Sequence, residues 1–489
     1  MVYLTGAGPG DPGLVTVKAL ELIKKADCII YDRLASKELL DYARSDCELI
    51  YVGKADSLHT MEQEQINELL WKKAHEYRSV VRLKGGDSYV FGRGGEEGLY
   101  LADRSIDFTV VPGVTSAVAG AAYAGIPVTH RGLAASFRVI TAHRMQEKEM
   151  DFSTMLDENE TLVFLMGLKR VGNIAKGLME AGRKPQTPAA VISNATMPQQ
   201  KICTGTLANI EDKAEAMELE TPAIIVVGNV VQLHEQLSFY DKQPLFGKCY
   251  LVPKIGAKPS ELAAMLRTRG AFVKECMVGK IVRIPARYTK QELAQVDILL
   301  FTSANGVEYF MRNLFASELD VRALAAAKIA VIGNKTAEKL LQYGLCADLI
   351  PEKSDSAGLV KALKEFINTK VKKDPFLPVF IWYPAAKNAD DELVDALLQV
   401  GECGRLNVYE NISCAAEELE LTDYDGIFFT CASSAKRLFG DMTKDERLRV
   451  GRHVRIYSIG PKCTRALNEL GMDVVEADVS SYEGLVHLV

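Results

Sequence analysis

The sequence predicts an α/β protein of several domains, and three observations carry that expectation. Short β-branched runs alternate with amphipathic helical stretches from end to end, the signature of parallel α/β sheets. At 489 residues the chain is too long for one hydrophobic core, so about three or four domains are expected. The second half also repeats itself, which adds a two-lobed body to whatever the first half forms.

The elements follow in order. Met1 to Gly6 reads as a strand, Gly6 to Gly13 as a glycine-rich turn, and Leu14 to Ala26 as a helix with apolar residues at helical spacing. Strands follow at Cys28 to Tyr31 and Leu49 to Val52, then a helix from Glu62 to Tyr77 and a strand from Ser79 to Leu83. Phe108 to Val111 ends at Pro112-Gly113, where the first domain closes, giving a boundary of 1–113. A second block holds the small-residue helix Ala117 to Ala124 and strands at Arg138 to Thr141, Leu162 to Leu165, Ala189 to Ile192 and Ile224 to Val227. The pattern loosens at Gln236 to Gly247 into a polar, proline-bearing stretch, so the second domain is assigned 114–240 and the repeated body 247–489.

In that body Pro253, Glu261, Leu262 and Gly270 recur as Pro384, Glu392, Leu393 and Gly401, a constant offset of 131 (384 − 253). Phe301-Thr302-Ser303 matches Phe429-Thr430-Cys431, and Ile332-Gly333-Asn334-Lys335 matches Ile459-Gly460-Pro461-Lys462. Two α/β copies imply two lobes with a cleft between them. The repeat alone leaves open whether each opening unit packs with the segment after it or is exchanged between lobes.

Composition excludes several partners. With 64 acidic against 58 basic residues, a net charge of -6 and no basic tract, duplex nucleic acid is not expected. The ten cysteines are scattered singly, with no metal-ligand spacing, which predicts a reducing compartment and no metal. Apolar runs such as Ala223 to Val227 are too short to span a bilayer, and a cytoplasmic protein is expected.

The chemistry concentrates at predicted strand ends. Leu83 to Glu97 carries five glycines directly after an apolar strand, leaving main-chain groups bare where ligands of α/β proteins settle. Gly6-Ala7-Gly8-Pro9-Gly10-Asp11-Pro12-Gly13 invites a dinucleotide reading, with Asp32 ending the next strand. The spacing is G-x-G-x-G, however, and Pro9 and Pro12 remove two N–H donors that a pyrophosphate needs, so a different ligand is favoured. Asp32 and Lys54 both stand at strand ends, either as a solvated pair or cap, or as groups that handle protons or grip an anion in one crevice. Thr115 and Ser116 open a small-residue helix, as caps or as ligand contacts. Met166 is either core or the lining of an adenine or sulfonium pocket.

Residues 1 to about 238 resemble the uroporphyrinogen-III C-methyltransferases of the tetrapyrrole methylase family. The resemblance rests on Gly6 to Asp11, Tyr31-Asp32-Arg33, Tyr51 to Lys54, Val81 to Asp87, Phe91 to Glu97, Val111 to Ser116, Tyr123 to Arg131, Met166-Gly167-Leu168 and Thr221-Pro222-Ala223. It implies two α/β domains clasping S-adenosylmethionine, two methyl transfers to uroporphyrinogen III giving precorrin-2, release of S-adenosylhomocysteine, and a homodimer formed through this half. By position it implies that Pro9, Gly85, Gly86, Asp87, Val90, Thr115, Ser116, Met166 and Ala195 hold the cofactor, and that Asp32 and Lys54 are the acid/base pair. Arg33, Lys54, Arg93, His130 and Arg131 are then available to the carboxylates of the substrate. The chain departs from the family where Ala142 replaces a common glycine in Thr141-Ala142-His143, and where Ser88 replaces a common proline.

Residues from about 247 to 489 resemble uroporphyrinogen-III synthase through Phe301 to Val307, Ile332 to Ala337 and Ile459 to Lys462. That resemblance implies two lobes, about 247–280 plus 410–489 and about 281–409, with opening units exchanged across a two-stranded connector. The implied reaction closes hydroxymethylbilane with inversion of its last ring. Tyr409 is then the cleft tyrosine that assists loss of the hydroxyl group, while Thr336, Thr430 and Ser433 bind carboxylates. Cys463 stands where a threonine is common, with Thr464 beside it, and Trp382-Tyr383-Pro384 lies where an arginine is frequent. Two other readings remain: a methyltransferase acting on a later corrinoid, and a C-terminal half that only binds ligands.

Overall fold

The computed structural model describes residues 1–44, 46–53, 61–142, 150–256, 258–353, 355–371, 378–389, 391–414 and 419–489. Its first sheet holds β1 (Val2–Gly6), β2 (Cys28–Tyr31), β3 (Glu48–Tyr51), β4 (Val80–Lys84) and β5 (Phe108–Val111). All are parallel, in the order β3-β2-β4-β1-β5. Every residue of β4 is buried, because helices cover both faces. Val81 and Leu83 pack with Ile23 of the helix Val17–Lys25, while Val80 packs with Ile66, Leu70 and Leu101 of the helices Gln63–Glu76 and Gly94–Ala102. Side chains alternate along a strand, so Arg82 and Lys84 share Val80's face and are driven into the same interior.

The second sheet holds β6 (Ser136–Thr141), β7 (Glu160–Leu165), β8 (Pro188–Ser193), β9 (Lys201–Thr206) and β10 (Ala223–Val227), in the order β6-β7-β10-β8-β9. Only β6 and β7 run parallel; β10 is antiparallel to both β7 and β8, and β9 is antiparallel to β8. The expectation of parallel sheets throughout fails here. β8 and β9 are joined by the short connection 194–200 with no crossover helix, and such a link returns the chain antiparallel. β9 itself, Lys-Ile-Cys-Thr-Gly-Thr, has too little apolar character to announce a strand.

The third sheet spans the repeated half: β11 (Cys249–Ile255), β12 (Phe272–Arg283), β13 (Ile298–Phe301), β14 (Lys328–Val331), β15 (Phe380–Ala386), β16 (Glu402–Ser413), β17 (Gly426–Phe429), β18 (Arg455–Ser458) and β19 (Val474–Glu476). Its order is β14-β13-β15-β16-β12-β11-β17-β18-β19, with every pair parallel except β12 and β16. The first opening unit, β11 and the start of β12, thus joins β17 to β19, while β15 and the start of β16 join β13 and β14. The units are exchanged. The two long strands carry the exchange: their first parts pair with β11 and β15, and their second parts pair with each other from Gly279–Ser413 to Arg283–Tyr409.

The halves touch where Lys274 of β12 pairs with Asp41 (2.8 Å). Beside that contact Glu38 Oε1 is buried, and no group among the described residues donates to it. Burial pushes the Glu38 carboxyl up from 4.5 to about 7, against the opposing pull of Arg267 and Lys274. The folded state therefore holds this proton more tightly than the unfolded chain does. Stability contributed by neutral Glu38 is complete below pH 4.5 and is lost as pH rises to about 7. Glu38→Gln is expected to remove that slope and to gain on the order of 2 kcal/mol at pH 8. Denaturant midpoints at pH 4.5 and 8 check it; an equal difference between variant and wild type at both pH values contradicts it.

Candidate active sites

In the first half, three loops at the carboxyl ends of β1, β4 and β5 meet backbone to backbone. Gly8 and Gly86 exchange hydrogen bonds (3.2 and 2.6 Å), with both residues at positive φ. A Cβ on Gly6 would lie 2.6 Å from Gly113 Cα and 2.6 Å from the Gly86 carbonyl oxygen, so no side chain fits there. Asp87 fastens the arrangement, its Oδ1 accepting from Tyr89 N (2.7 Å) and its Oδ2 from Gly113 N (2.9 Å). It acts on the loops with both oxygens.

The glycine-rich turn is held against the second domain. Asp11 N donates to Thr196 Oγ1 (3.1 Å), and Tyr123 OH donates to Asp11 Oδ2 (2.7 Å). Val90 and Ala195 pack into one apolar cluster with Ala117 and Leu165, the neighbours of Ser116 and Met166. The predicted cofactor residues Gly85, Gly86, Asp87, Val90, Thr115, Ser116, Met166 and Ala195 are thereby gathered around one junction, with half-exposed Pro9 on the loop beside it. Thr115 is also the cap of the helix Ser116–Tyr123, accepting from Ala117 N (3.4 Å). Met166 is not core: it is 55 % exposed at positive φ.

Asp32, at the end of β2, accepts from Leu34 N through Oδ1 (3.1 Å) and from Arg82 Nη2 through Oδ2 (3.3 Å). Lys54 lies outside the described residues. Arg33, His130 and Arg131 are exposed, while Arg93 already holds Glu96 in a bidentate pair (2.8 and 2.6 Å). Any other carboxylate has to compete with Glu96 for Arg93.

Behind Asp32 stands a buried charge cluster that the sequence reading missed. Arg82 Nε (3.2 Å) and Lys84 Nζ (2.7 Å) both reach Oε1 of fully buried Glu97. Burial pushes the Lys84 ammonium below its ordinary value, and the Glu97 carboxylate opposes that push. The signal was present: two cations at alternate positions of an apolar strand share one interior face and require a buried anion.

Ser88, where a proline is common, is fully buried, and no group among the described residues bonds its hydroxyl. Ser88→Ala is expected to leave thermal stability unchanged or to raise it by about 1 kcal/mol, since an unmatched buried hydroxyl costs rather than contributes. A drop in melting temperature would contradict that account.

In the second half, Tyr409 OH lies 3.3 Å from Ser303 Oγ, and Tyr383 OH lies 3.2 Å from Thr302 Oγ1. Ser303 caps the helix Ala304–Ala316, accepting from Gly306 N (3.0 Å). Burial holds the Tyr409 phenol above its ordinary value. Two more helices begin directly beyond β14 and β17 without a side-chain cap, at Gly333 and Cys431, so their first N–H groups can receive carboxylates, whereas the helix after β18 opens on Pro461, which has no N–H. Thr430 and Ser433 are half-buried at one of these starts, with Ser433 Oγ 3.3 Å from Cys431 Sγ.

Cys463 requires correction. It is packed in the lobe core with Phe429, Ile456 and Leu467, its thiol directed at the Phe429 carbonyl (3.9 Å) and pushed up to about 11 by burial, so it does not face substrate. Thr336 occupies the matching turn of the other copy and is equally buried. Thr464 binds Ser458 Oγ (2.7 Å) at the end of β18. These positions lie on the inner face of their helices, a direction that a motif alone does not reveal.

Comparison with known proteins agrees with this division. Residues 1–211 match the family described as Tetrapyrrole (Corrin/Porphyrin) Methylases, and residues 260–487 match Uroporphyrinogen-III synthase HemD. The porphyrin biosynthesis protein HemD of Ruminiclostridium josui is 35% identical over 99% of this chain and 96% of its own. An S-adenosyl-L-methionine-dependent uroporphyrinogen III methyltransferase of Methanosarcina barkeri is 51% identical over 48% of this chain and 94% of its own. A crystal structure of a uroporphyrin-III C-methyl transferase from Thermus thermophilus with S-adenyl homocysteine is 39% identical, covers 47% of this chain and 93% of its own, and has a TM-score of 0.42. With a relative matching almost end to end and each half matching its own family, the chain belongs to the tetrapyrrole methylases in its first half and to the uroporphyrinogen-III synthases in its second.

Proposed function

We propose that the C-terminal half closes hydroxymethylbilane to uroporphyrinogen III, and that the N-terminal half moves two methyl groups from S-adenosylmethionine onto that product, giving precorrin-2. The observation that carries this reading is the fusion: one polypeptide holds two families whose names describe a maker and a user of the same tetrapyrrole. The working units are 1–240, with domains at 1–113 and 114–240, and 247–489, in keeping with the three separate sheets.

The cofactor cradle is formed by Pro9, Gly85, Gly86, Asp87, Val90, Thr115, Ser116, Met166 and Ala195. Main chain without Cβ at Gly85 and Gly86, a small apolar wall at Val90 and Ala195, and an exposed thioether at Met166 suit a ligand with a nucleoside end and a sulfonium end. S-adenosylmethionine, when bound, supplies an electrophilic methyl group. The protein's part is orientation, charge placement and a route for the proton that the tetrapyrrole ring system loses, from an atom other than the methylated carbon, once the methyl group has been added. Asp32 takes that proton, with Lys54 as its partner. Arg33, His130, Arg131 and, once freed from Glu96, Arg93 orient the substrate through its carboxylates.

In the second half Tyr409 donates its proton to the departing hydroxyl, while Thr430, Ser433 and the uncapped helix starts hold carboxylates. The methylase half forms a homodimer in the cytoplasm, a reading supported by Tyr89, Phe91 and Leu99 exposed on one loop and its following helix. Among the described residues no helix is long and apolar enough to cross a membrane. Incubating the whole protein with hydroxymethylbilane and S-adenosylmethionine tests the assignment: dimethylated type III product is expected, and isomer I alone without methylation would sink it.

A further inference from the structure

The fold carries a costly group of charges that the binding roles above leave unused. Arg82 and Lys84 on β4 and Glu97 on the helix Gly94–Ala102 lie in the interior of the first domain, their side chains 4%, 5% and 0% exposed. Glu97 Oε1 receives three donors: Lys84 Nζ (2.7 Å), Arg82 Nε (3.2 Å) and Gln63 Nε2 (3.3 Å). Glu97 Oε2 is buried, and among the described residues nothing donates to it. Apolar side chains of similar size usually serve stability as well as a buried ion group or better, so stability alone does not account for this one.

The guanidinium shows what the cluster is aimed at. Its Nη1 is taken by two main-chain carbonyls, Leu83 O (3.1 Å) and Ile30 O (3.4 Å), and its Nε by Glu97, which fixes the plane of the group. The remaining Nη2 meets Asp32 Oδ2, whose side chain reaches the surface, 26% exposed. A turn residue that would otherwise sample several rotamers is thus held from behind by two central strands.

We propose that Glu97 and Arg82 are positioning residues for methyl transfer: Glu97 fixes the buried guanidinium, and the guanidinium sets the direction in which the Asp32 carboxylate faces the tetrapyrrole. This rests on the assignment of methyl transfer to the first half. Neither residue touches substrate; their effect passes through Asp32 and disappears when Asp32 can no longer act.

The test is a kinetic cycle on the full chain with Glu97→Gln, Asp32→Asn and the double variant. Glu97→Gln should lower kcat for methylation by about tenfold or more while KM for uroporphyrinogen III and for S-adenosylmethionine stays within about threefold. In the Asp32→Asn background the same change should alter kcat by less than about twofold. Ring closure by the second half of the same sample should stay at the wild-type rate and so reports an intact chain. Multiplying effects of the two substitutions, or a rise in KM with kcat unchanged, would overturn the proposal. If Glu97→Gln unfolds the first domain, Arg82→Lys, which keeps the charge but cannot reach Glu97 and Asp32 together, is put through the same cycle and judged by the same criteria. A wild-type chain that fails to methylate uroporphyrinogen III contradicts the assigned reaction, whereas wild-type methylation with an additive cycle contradicts only the positioning role.

Discussion

Gly113→Ala is expected to abolish S-adenosylmethionine binding and methyl transfer while leaving ring closure at its wild-type rate. The new Cβ would lie 2.7 Å from Gly6 Cα and closer still to the Gly86 carbonyl oxygen, and both obstacles are main chain. Neither can retreat. Gly6 ends β1 and Gly86 follows β4, adjacent central strands of the sheet, and Gly86 is additionally tied to Gly8 by two hydrogen bonds. Relief would have to come from moving Gly113 outward, which strips its N–H from Asp87 Oδ2 and frees the loop that Asp87 holds. Overpacking of this kind costs about 1–3 kcal/mol, with the lost charge-assisted bond adding to it. The control is Gly95→Ala: nothing lies within 4 Å of a Cβ there, and the residue is helical, so stability should hold or rise by up to about 1 kcal/mol. Calorimetric titration with S-adenosylmethionine, beside both assays on one sample, separates the outcomes. Normal cofactor affinity in Gly113→Ala would mean that the junction of the three loops is not the cofactor site.

What was legible in the sequence depended on whether the signal was local. β1, β4 and β5 are short apolar runs closed by glycine or proline, β2 is one closed by Asp32-Arg33, and each lies within a residue or two of its expected place. The loops after them were read as ligand loops because consecutive glycines have few other uses. β9 was missed because four of its six residues are threonine, glycine or lysine, and its pairing with β8 comes from a hairpin rather than from its own pattern. The exchange of opening units could not be read from the repeat: both pairings give identical periodicity, and only the pairing of β11 with β17 and of β15 with β13 distinguishes them. Cys463 was placed by motif at a substrate surface, but a helix turn has an inner and an outer side, and the third residue of this one faces Phe429. Arg82 and Lys84 lie within the string Val81 to Asp87 that carries the resemblance to the methylases, and read as a motif the string hides the physics. Cations two apart in a central strand point the same way, inward, and their partner sits fifteen and thirteen residues on, at Glu97.

Tyr409→Phe is expected to slow formation of the type III isomer by about a hundredfold with little change in KM. Loss of the hydroxyl group from hydroxymethylbilane leaves a bond-breaking oxygen that needs a proton, and removing a positioned donor of this kind typically costs on the order of 10²–10³. Burial keeps the Tyr409 phenol above its ordinary value, so at neutral pH it is an O–H donor and not a phenolate. Its direction is set from two sides. Tyr409 sits on the connector strand β16, opposite Arg283 of β12, and its ring lies 5.6 Å from that of Tyr309 on the helix Ala304–Ala316. Ser303, committed to Gly306 N as a cap, marks where the phenol oxygen rests (3.3 Å). Phenylalanine preserves the packing and removes only the donor, which is why binding should survive. Because hydroxymethylbilane also closes without inversion when unassisted, the variant should release an increased share of isomer I, a readout independent of absolute rate. Methylation of supplied uroporphyrinogen III should be untouched, since that chemistry belongs to the other half of the chain. An unchanged isomer ratio and rate would remove Tyr409 from the reaction and leave Tyr383, paired with Thr302 in the same lobe, as the next hydroxyl to replace.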